Sequence, residues 1–306
     1  MHERDGLTHD SSQQSRMAAS ISKGSVKWWA VLAFDPLPIG GIAVALLLGT
    51  NALLHVSVSL PLLVSGFCGV SLIYLADRAV VPSPEDATNH PERRCWVRSH
   101  RGWLVVEAGL LMVAGGRGLA VLRPETLLAA TGLVGLAGLH LLPVGDMGRP
   151  LKSLRIAKPI VVAGTWAVGA TLLPVLEAGQ PLTPATWALM GYRLVFILPN
   201  VILADWADRR GDRDVGISSW TGALTGRRVR WGATGLLCLA IGGAIAVSTM
   251  AQRPLLLWVD AGGAVLLLAA VWTLAPDHPR DRLVLDVLVA WPFVTALVAW
   301  GIGVFE

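Results

Sequence analysis

Residues 184–214 read Pro184-Ala-Thr-Trp187-Ala-Leu-Met-Gly-Tyr192-Arg193-Leu-Val-Phe-Ile-Leu-Pro199-Asn200-Val-Ile-Leu-Ala-Asp205-Trp-Ala-Asp208-Arg209-Arg-Gly211-Asp212-Arg213-Asp214. About twenty mostly apolar residues are followed at once by a dense acidic and basic cluster. An apolar run of that length crosses the hydrocarbon core of a bilayer as a helix, which satisfies its own backbone hydrogen bonds. The rest of the chain repeats the pattern. Of 306 residues, 54% are hydrophobic and 15% are charged, against about 25% charged in soluble domains. The mean hydropathy is +0.59. These values exclude a soluble two-domain enzyme, a disordered chain and a disulfide scaffold. Thirteen Trp stand against two Tyr, and Trp anchors helices at the membrane interface. Cys68, Cys95 and Cys238 have no CxxC spacing and read as free thiols.

Nine spans of this kind are predicted, at about 28–49, 55–76, 102–121, 126–144, 157–176, 184–204, 231–250, 254–275 and 284–304. The expected fold class is an all-α integral membrane protein, a single polytopic domain over 25–306. Residues 1–24 are polar, lack the apolar core of a signal peptide, and are expected to form a disordered cytoplasmic tail. The loops after the second, fourth, sixth and eighth spans, together with the tail, carry 21 of the 25 Lys and Arg. The positive-inside rule therefore puts the N-terminus in the cytoplasm and these loops on the same side. Basic residues in this setting indicate topology, not nucleic-acid binding. The expected location is a bacterial cytoplasmic membrane, with the lipid bilayer as a partner.

The cytoplasmic end of the sixth span carries the chemistry. Asp205, Asp208 and Asp212 are spaced i, i+3 and i+7, so a continuous helix projects them from one face. Like charges so placed cost about 0.2–0.5 kcal/mol per pair, and the helix C-terminus adds repulsion. A cation should neutralise them. Oxygen-only acidic clusters suit Mg²⁺, which takes one or two carboxylates, waters and substrate phosphates. A solvated loop in which Asp and Arg merely pair is the plainer alternative. Asp77 stands at the matching end of the second span, in Tyr74-Leu-Ala-Asp77-Arg78. Two acidic helix ends facing each other could hold metal between them and a diphosphate against it. Before the fifth span, Lys152, Arg155 and Lys158 recur every third residue, as a strip for lipid headgroups or a bound phosphate. Arg193 and Glu107 fall inside spans, where Arg193 is expected to line the cavity or to pair with Glu107.

Asp205-x-x-Asp208-x-x-x-Asp212, followed by Arg213-x-Val-Gly216-Ile, resembles the second Asp-rich motif of the UbiA superfamily of intramembrane prenyltransferases. The resemblance spans roughly residues 25–305 and implies an all-helical fold of about nine spans around a central cavity. Against the family's first motif, close to NDxxDxxxD, only Asp77 survives; Ile73, Tyr74 and Val81 replace the other positions. The resemblance implies Mg²⁺ held by Asp77, Asp205, Asp208 and Asp212. It also implies an isoprenyl diphosphate bound by Arg78, Lys152, Arg155, Lys158, Arg209 and Arg213, with Asp77, Asp208 and Lys152 central to catalysis. The implied reaction is ionisation to an allylic cation and transfer to a lipophilic or aromatic acceptor. Trp166 and Trp187 are candidates for cation–π contact with that cation. A terpene cyclase of the same type and a non-catalytic isoprenoid-binding protein stay open as alternatives. The motif of CDP-alcohol phosphotransferases and the His boxes of desaturases are absent. A transporter would place its ionisable groups at mid-membrane instead of at helix ends.

Overall fold

The structure is a computed structural model that describes residues 28–80, 86–141, 157–214, 220–248 and 254–303. The tail at 1–24, Lys152, Arg155 and Gly216 lie outside the described residues. Among the described residues every regular element is helical: α1 (Trp28–Phe34), α2 (Leu37–Leu54), α3 (Leu60–Leu75), α4 (Asp86–Asn89), α5 (Pro91–Ser99), α6 (Arg101–Leu119), α7 (Pro124–Leu141), α8 (Ala157–Glu177), α9 (Pro184–Ala207), α10 (Arg209–Asp214), α11 (Gly226–Ser248), α12 (Pro254–Thr273), α13 (Pro279–Val289) and α14 (Pro292–Gly301).

Local signals explain the boundaries. Ser59 caps α3 by accepting a hydrogen bond from the Leu62 amide at 3.3 Å. Thr183 and Thr186 form a reciprocal capping box at the start of α9, with Pro184 in its first turn. The first predicted span is broken at Asp35–Pro36. Proline has no amide hydrogen to continue the ladder, and Asp35 Oδ1 accepts from the Leu37 amide at 2.9 Å to start α2 anew. The ninth is broken at Ala290–Trp291, where Pro292 opens α14 and the two helices bend by 43°. Trp291 fills the bend and donates its indole N–H to the Val259 carbonyl at 2.7 Å. Gly263 on α12 makes room for it, since a Cβ there would collide with the Trp291 side chain.

All nine predicted spans coincide with helices, though a count of nine membrane-crossing spans is not confirmed among the described residues. Six of those described are long and apolar enough to cross a membrane, or seven if α13 and α14 count as one bent span. The other two, α7 and α11, are helices at the predicted places but are not among those six.

Packing runs around a ring: α6 on α3, α3 on α2, α2 on α14, α14 on α12, α12 on α11, α11 on α9, α9 on α8 and α8 on α7, which meets α3 again. The core lies between α2, α8, α9, α11 and α12, where Leu46, Phe196, Leu237 and Leu267 are fully buried. The outer faces are apolar as well. Val105, Val106, Leu110, Met112 and Val113 of α6 are exposed, as the protein's lipid-facing surface. Trp103, Trp187, Trp231, Trp258, Trp272 and Trp300 are exposed near helix ends, the positions of interfacial anchors. The protein is an integral membrane protein.

Candidate active site

The ring encloses a cavity of about 580 Å³. One end is charged and the rest is apolar. The charged end is built where α3 and α9 finish and α8 and α13 begin. Away from it, Ala43, Leu47, Leu62, Gly66, Gly69, Leu122, Leu133, Val162 and Leu173 line the wall. From Asp77 back to Leu62, α3 lines the cavity over fifteen residues, about 22 Å at 1.5 Å per residue.

The expected acidic helix ends meet here. Asp77, Asp205, Asp208 and Asp212 all line this one cavity. α3 leaves its regular winding in a π-helical turn, Ala76–Val80, which carries Asp77 and Arg78. Such turns re-aim side chains, and they recur at functional sites. The Asp77 carboxylate makes no hydrogen bond or ion pair among the described residues. Arg78 lines the cavity, lies over the Tyr74 ring at 5.6 Å, and donates through Nη1 to the carbonyls of Phe34 (2.9 Å) and Asp35 (3.1 Å). It thereby caps the end of α1.

On the other side the helix is not continuous through the acids. α9 ends at Ala207, Asp208 is its C-cap, and α10 begins at Arg209. The backbone nevertheless keeps turning, with the Asp212 amide donating to the Asp208 carbonyl at 3.2 Å. Asp205 is buried. Its Oδ1 lies 3.2 Å from Lys158 Nζ, and its Oδ2 accepts from the Thr221 hydroxyl. Asp208 Oδ1 meets Arg282 Nη1 and His90 Nε2, each at 2.9 Å. Burial pushes the Asp208 carboxyl up, but Arg282 and His90 outweigh it and hold the group well below the usual carboxylate range. Burial pushes His90 down against the pull of Asp208.

The segment after the π turn clamps onto the acidic helix end. Asn89 donates to the Asp208 carbonyl at 2.7 Å and accepts from the Gly211 amide at 2.8 Å. Thr88 donates to Asp214 at 3.1 Å. Asp86 pairs with Arg93 at 2.7 Å. No spacing in the sequence signals this clamp, because its partners are more than 100 positions apart. Arg282, Asp286, Asn200 and Arg210 also line the charged end. Arg282 counted only as a topology-setting base in the sequence.

Other expectations fall differently. Arg209 and Arg213 do not line the cavity. Arg209 stacks on Trp206 at 3.6 Å and pairs with Asp277 at 3.3 Å, and Arg213 donates to the Gly222 carbonyl. Trp166 lines the cavity, with its ring edge-on to Tyr74 at 6.5 Å, whereas Trp187 is 56% exposed on the outside. Arg193 neither lines the cavity nor pairs with Glu107. It binds Asp260 through two contacts, at 2.7 and 3.2 Å, and Thr295 donates to the same carboxylate at 2.9 Å. Both Arg193 and Asp260 are fully buried.

Among the described residues no three His, Cys, Asp or Glu converge closely enough to cage a metal ion. The donors still fit a hard divalent cation of the Mg²⁺ type, which needs few carboxylates and completes its shell with water and phosphate oxygens. Seven Asp and five Lys or Arg line the cavity, so a diphosphate would enter a site already in anionic excess. An added cation removes that repulsion.

The fold is similar to that of solved UbiA homologues. The UbiA homologue from Archaeoglobus fulgidus, solved with GPP and Mg²⁺, aligns over 88% of this chain and 99% of its own, at 13% identity and a TM-score of 0.54. The homologue from Aeropyrum pernix K1, solved in its apo form, aligns over 86% and 97%, at 12% identity and a TM-score of 0.56. A digeranylgeranylglyceryl phosphate synthase structure aligns over 88% and 96%, at 14% identity and a TM-score of 0.54. No protein-family model and no curated protein matches the chain. At these identities the likeness is one of fold, and it is the fold that the motif resemblance implies.

Proposed function

We propose that the protein is an intramembrane prenyltransferase of the UbiA superfamily. It moves an isoprenyl group from an isoprenyl diphosphate to a lipophilic or aromatic acceptor, with its charged mouth toward the cytoplasm. The observation that carries this reading is the shape of the cavity. Acids and bases from two distant helix ends gather at one end, and an apolar tunnel continues from them. That matches a donor with a multiply charged head and a hydrocarbon tail. Solved structures with the same fold bind GPP or DMAPP together with Mg²⁺, which supports the substrate class and the cofactor.

In this reading Asp77 and Asp212 are the residues that would hold a Mg²⁺ ion. Asp205 and Asp208 stand behind them, each bound to a protein cation. The metal would neutralise the diphosphate and favour its departure. Lys158 and Arg78 supply positive charge around the leaving pyrophosphate. Lys152 and Arg155 belong to the same proposed set. The carbon–oxygen bond breaks, and pyrophosphate leaves with the electron pair. The allylic cation is sheltered by an apolar wall that excludes water, with the faces of Tyr74 and Trp166 nearby. The acceptor then forms the new bond and loses a proton.

The test is incubation of purified protein with farnesyl or geranylgeranyl diphosphate and Mg²⁺. Pyrophosphate release that requires an added acceptor is the expected result. Release without acceptor points to cyclisation or hydrolysis. No release with any chain length defeats the enzyme reading.

A further inference from the structure

Asp208 is engaged on both carboxylate oxygens. Oδ1 holds Arg282 Nη1 and His90 Nε2, and Oδ2 faces Arg282 Nη2 at 3.5 Å. A metal ion reaching this carboxylate would have to displace an arginine. Asp286, four residues after Arg282 and therefore on the same face, is pinned by Asn200 at 2.9 Å. Arg282, Asp208, Asp286 and Asn200 all line the cavity, and the Arg282 and Asp208 side chains are 25% and 21% exposed. A guanidinium has five N–H donors. Here both Nη atoms turn to Asp208, and the Nε–H makes no hydrogen bond among the described residues. The group is charged, oriented and still has donors to give.

We propose that Arg282 is itself a diphosphate-binding residue, and that Asp208 and His90 act as its positioning residues in place of a metal-ligand role for Asp208. The guanidinium performs the task of one divalent cation, joining a protein carboxylate to a phosphate anion. The donor's head is then held by one Mg²⁺ and one arginine. This rests on the reading of the cavity as an isoprenyl diphosphate site. It explains how the chain works with Asp77 as the sole acid at the end of α3. It also gives the clamp formed by Asn89 and His90 a purpose, because that clamp fixes the carboxylate that aims Arg282. Arginine suits the task, since its fork matches phosphate oxygens and its charge does not depend on pH.

The experiment measures binding of inorganic pyrophosphate to the purified full chain by calorimetry, first in EDTA and then across a Mg²⁺ series, with melting temperature recorded alongside. Wild type is expected to bind pyrophosphate in EDTA, and Mg²⁺ is expected to strengthen binding along a single-site curve. Arg282→Ala should weaken binding in EDTA about tenfold or more, the loss of one charge-assisted contact. Arg282→Lys should restore most of it. Asp77→Asn should remove most of the Mg²⁺ enhancement. Should Arg282→Ala not fold, Arg282→Gln is read in its place. The proposal is overturned by undiminished binding in EDTA when Arg282 is replaced in a folded protein, by absence of metal-free binding in wild type, or by Lys rescuing the melting temperature but not the affinity. Pyrophosphate release from isoprenyl diphosphates is scored separately in wild type. A chain that binds pyrophosphate through Arg282 yet releases none keeps this inference and defeats the prenyltransferase reading.

Discussion

At the scale of single residues, the charged mouth divides into acids already answered by the protein and one that is not. Asp205 has Lys158 and Thr221, and Asp208 has Arg282 and His90. Asp77 lines the same cavity with no such partner among the described residues. Replacing it with Ala is expected to lower Mg²⁺-supported pyrophosphate release by about a hundredfold, the size expected for one electrostatic contributor at a reacting centre. Asp77 is partly exposed and bonded to nothing described, so thermal melting in detergent should stay within about 0.5 kcal/mol of wild type. A large loss of stability would instead mark it as structural. The acids were legible in the sequence because three Asp within eight positions at a helix end is a local pattern. Arg282 was not. Its contacts are to residues 74 and 192 positions away, and a lone arginine beside a span looks the same whether it sets topology or binds a ligand.

At the scale of elements, the helices follow hydropathy and their interruptions follow proline and side-chain caps. The breaks at Asp35–Pro36 and Trp291–Pro292 carry sequence marks. The π turn at Ala76–Val80 carries none, because an extra residue in a turn is a response to packing. α3 contributes most to the tunnel. Gly69 lies on its wall eight residues before Asp77, about 12 Å deep, and a Cβ there would meet no atom within 4 Å. Carbon–carbon bonds of about 1.5 Å advance an extended chain by about 5 Å per isoprene unit. The full depth of about 22 Å therefore suits about four units, and the depth to Gly69 about two. Gly69→Trp should shift preference from geranylgeranyl toward geranyl diphosphate, read as the ratio of kcat/KM for the two donors. An unchanged ratio would place the tail elsewhere. In α12, Gly263→Leu should destabilise the protein by about 1–3 kcal/mol or more, because Trp291 occupies that space.

At the scale of the whole molecule, the ring depends on polar contacts that cross it. Arg193 and Asp260 join α9 to α12 with both charges fully buried, and Thr295 ties α14 to the same carboxylate. Asp260→Ala leaves a buried cation unpaired and should cost about 3–5 kcal/mol. The double variant Arg193→Met, Asp260→Leu should regain most of that loss. Thermal unfolding in one detergent compares them, and a double variant as weak as the single one would refute the argument. Orientation is tested through the thiols. Cys95 is exposed on α5, in a basic loop assigned to the cytoplasm, whereas Cys238 is exposed within the apolar length of α11. A membrane-impermeant maleimide should label Cys95 in inside-out vesicles but not in right-side-out ones, and should label Cys238 in neither. The reverse pattern at Cys95 would invert the topology.

Sequence by itself determined the membrane class, the positions of the helices and the place of the acidic cluster. Each of these depends on composition within a window shorter than one helix, where burial in lipid is a sum of local transfer energies. Tertiary structure alone decided which charges meet. It turned Arg193 to Asp260 instead of Glu107, sent Arg209 and Arg213 away from the cavity, and brought Arg282 and His90 onto Asp208. An ion pair forms only over a few ångströms and along definite directions, and those are set by how the ring of helices closes.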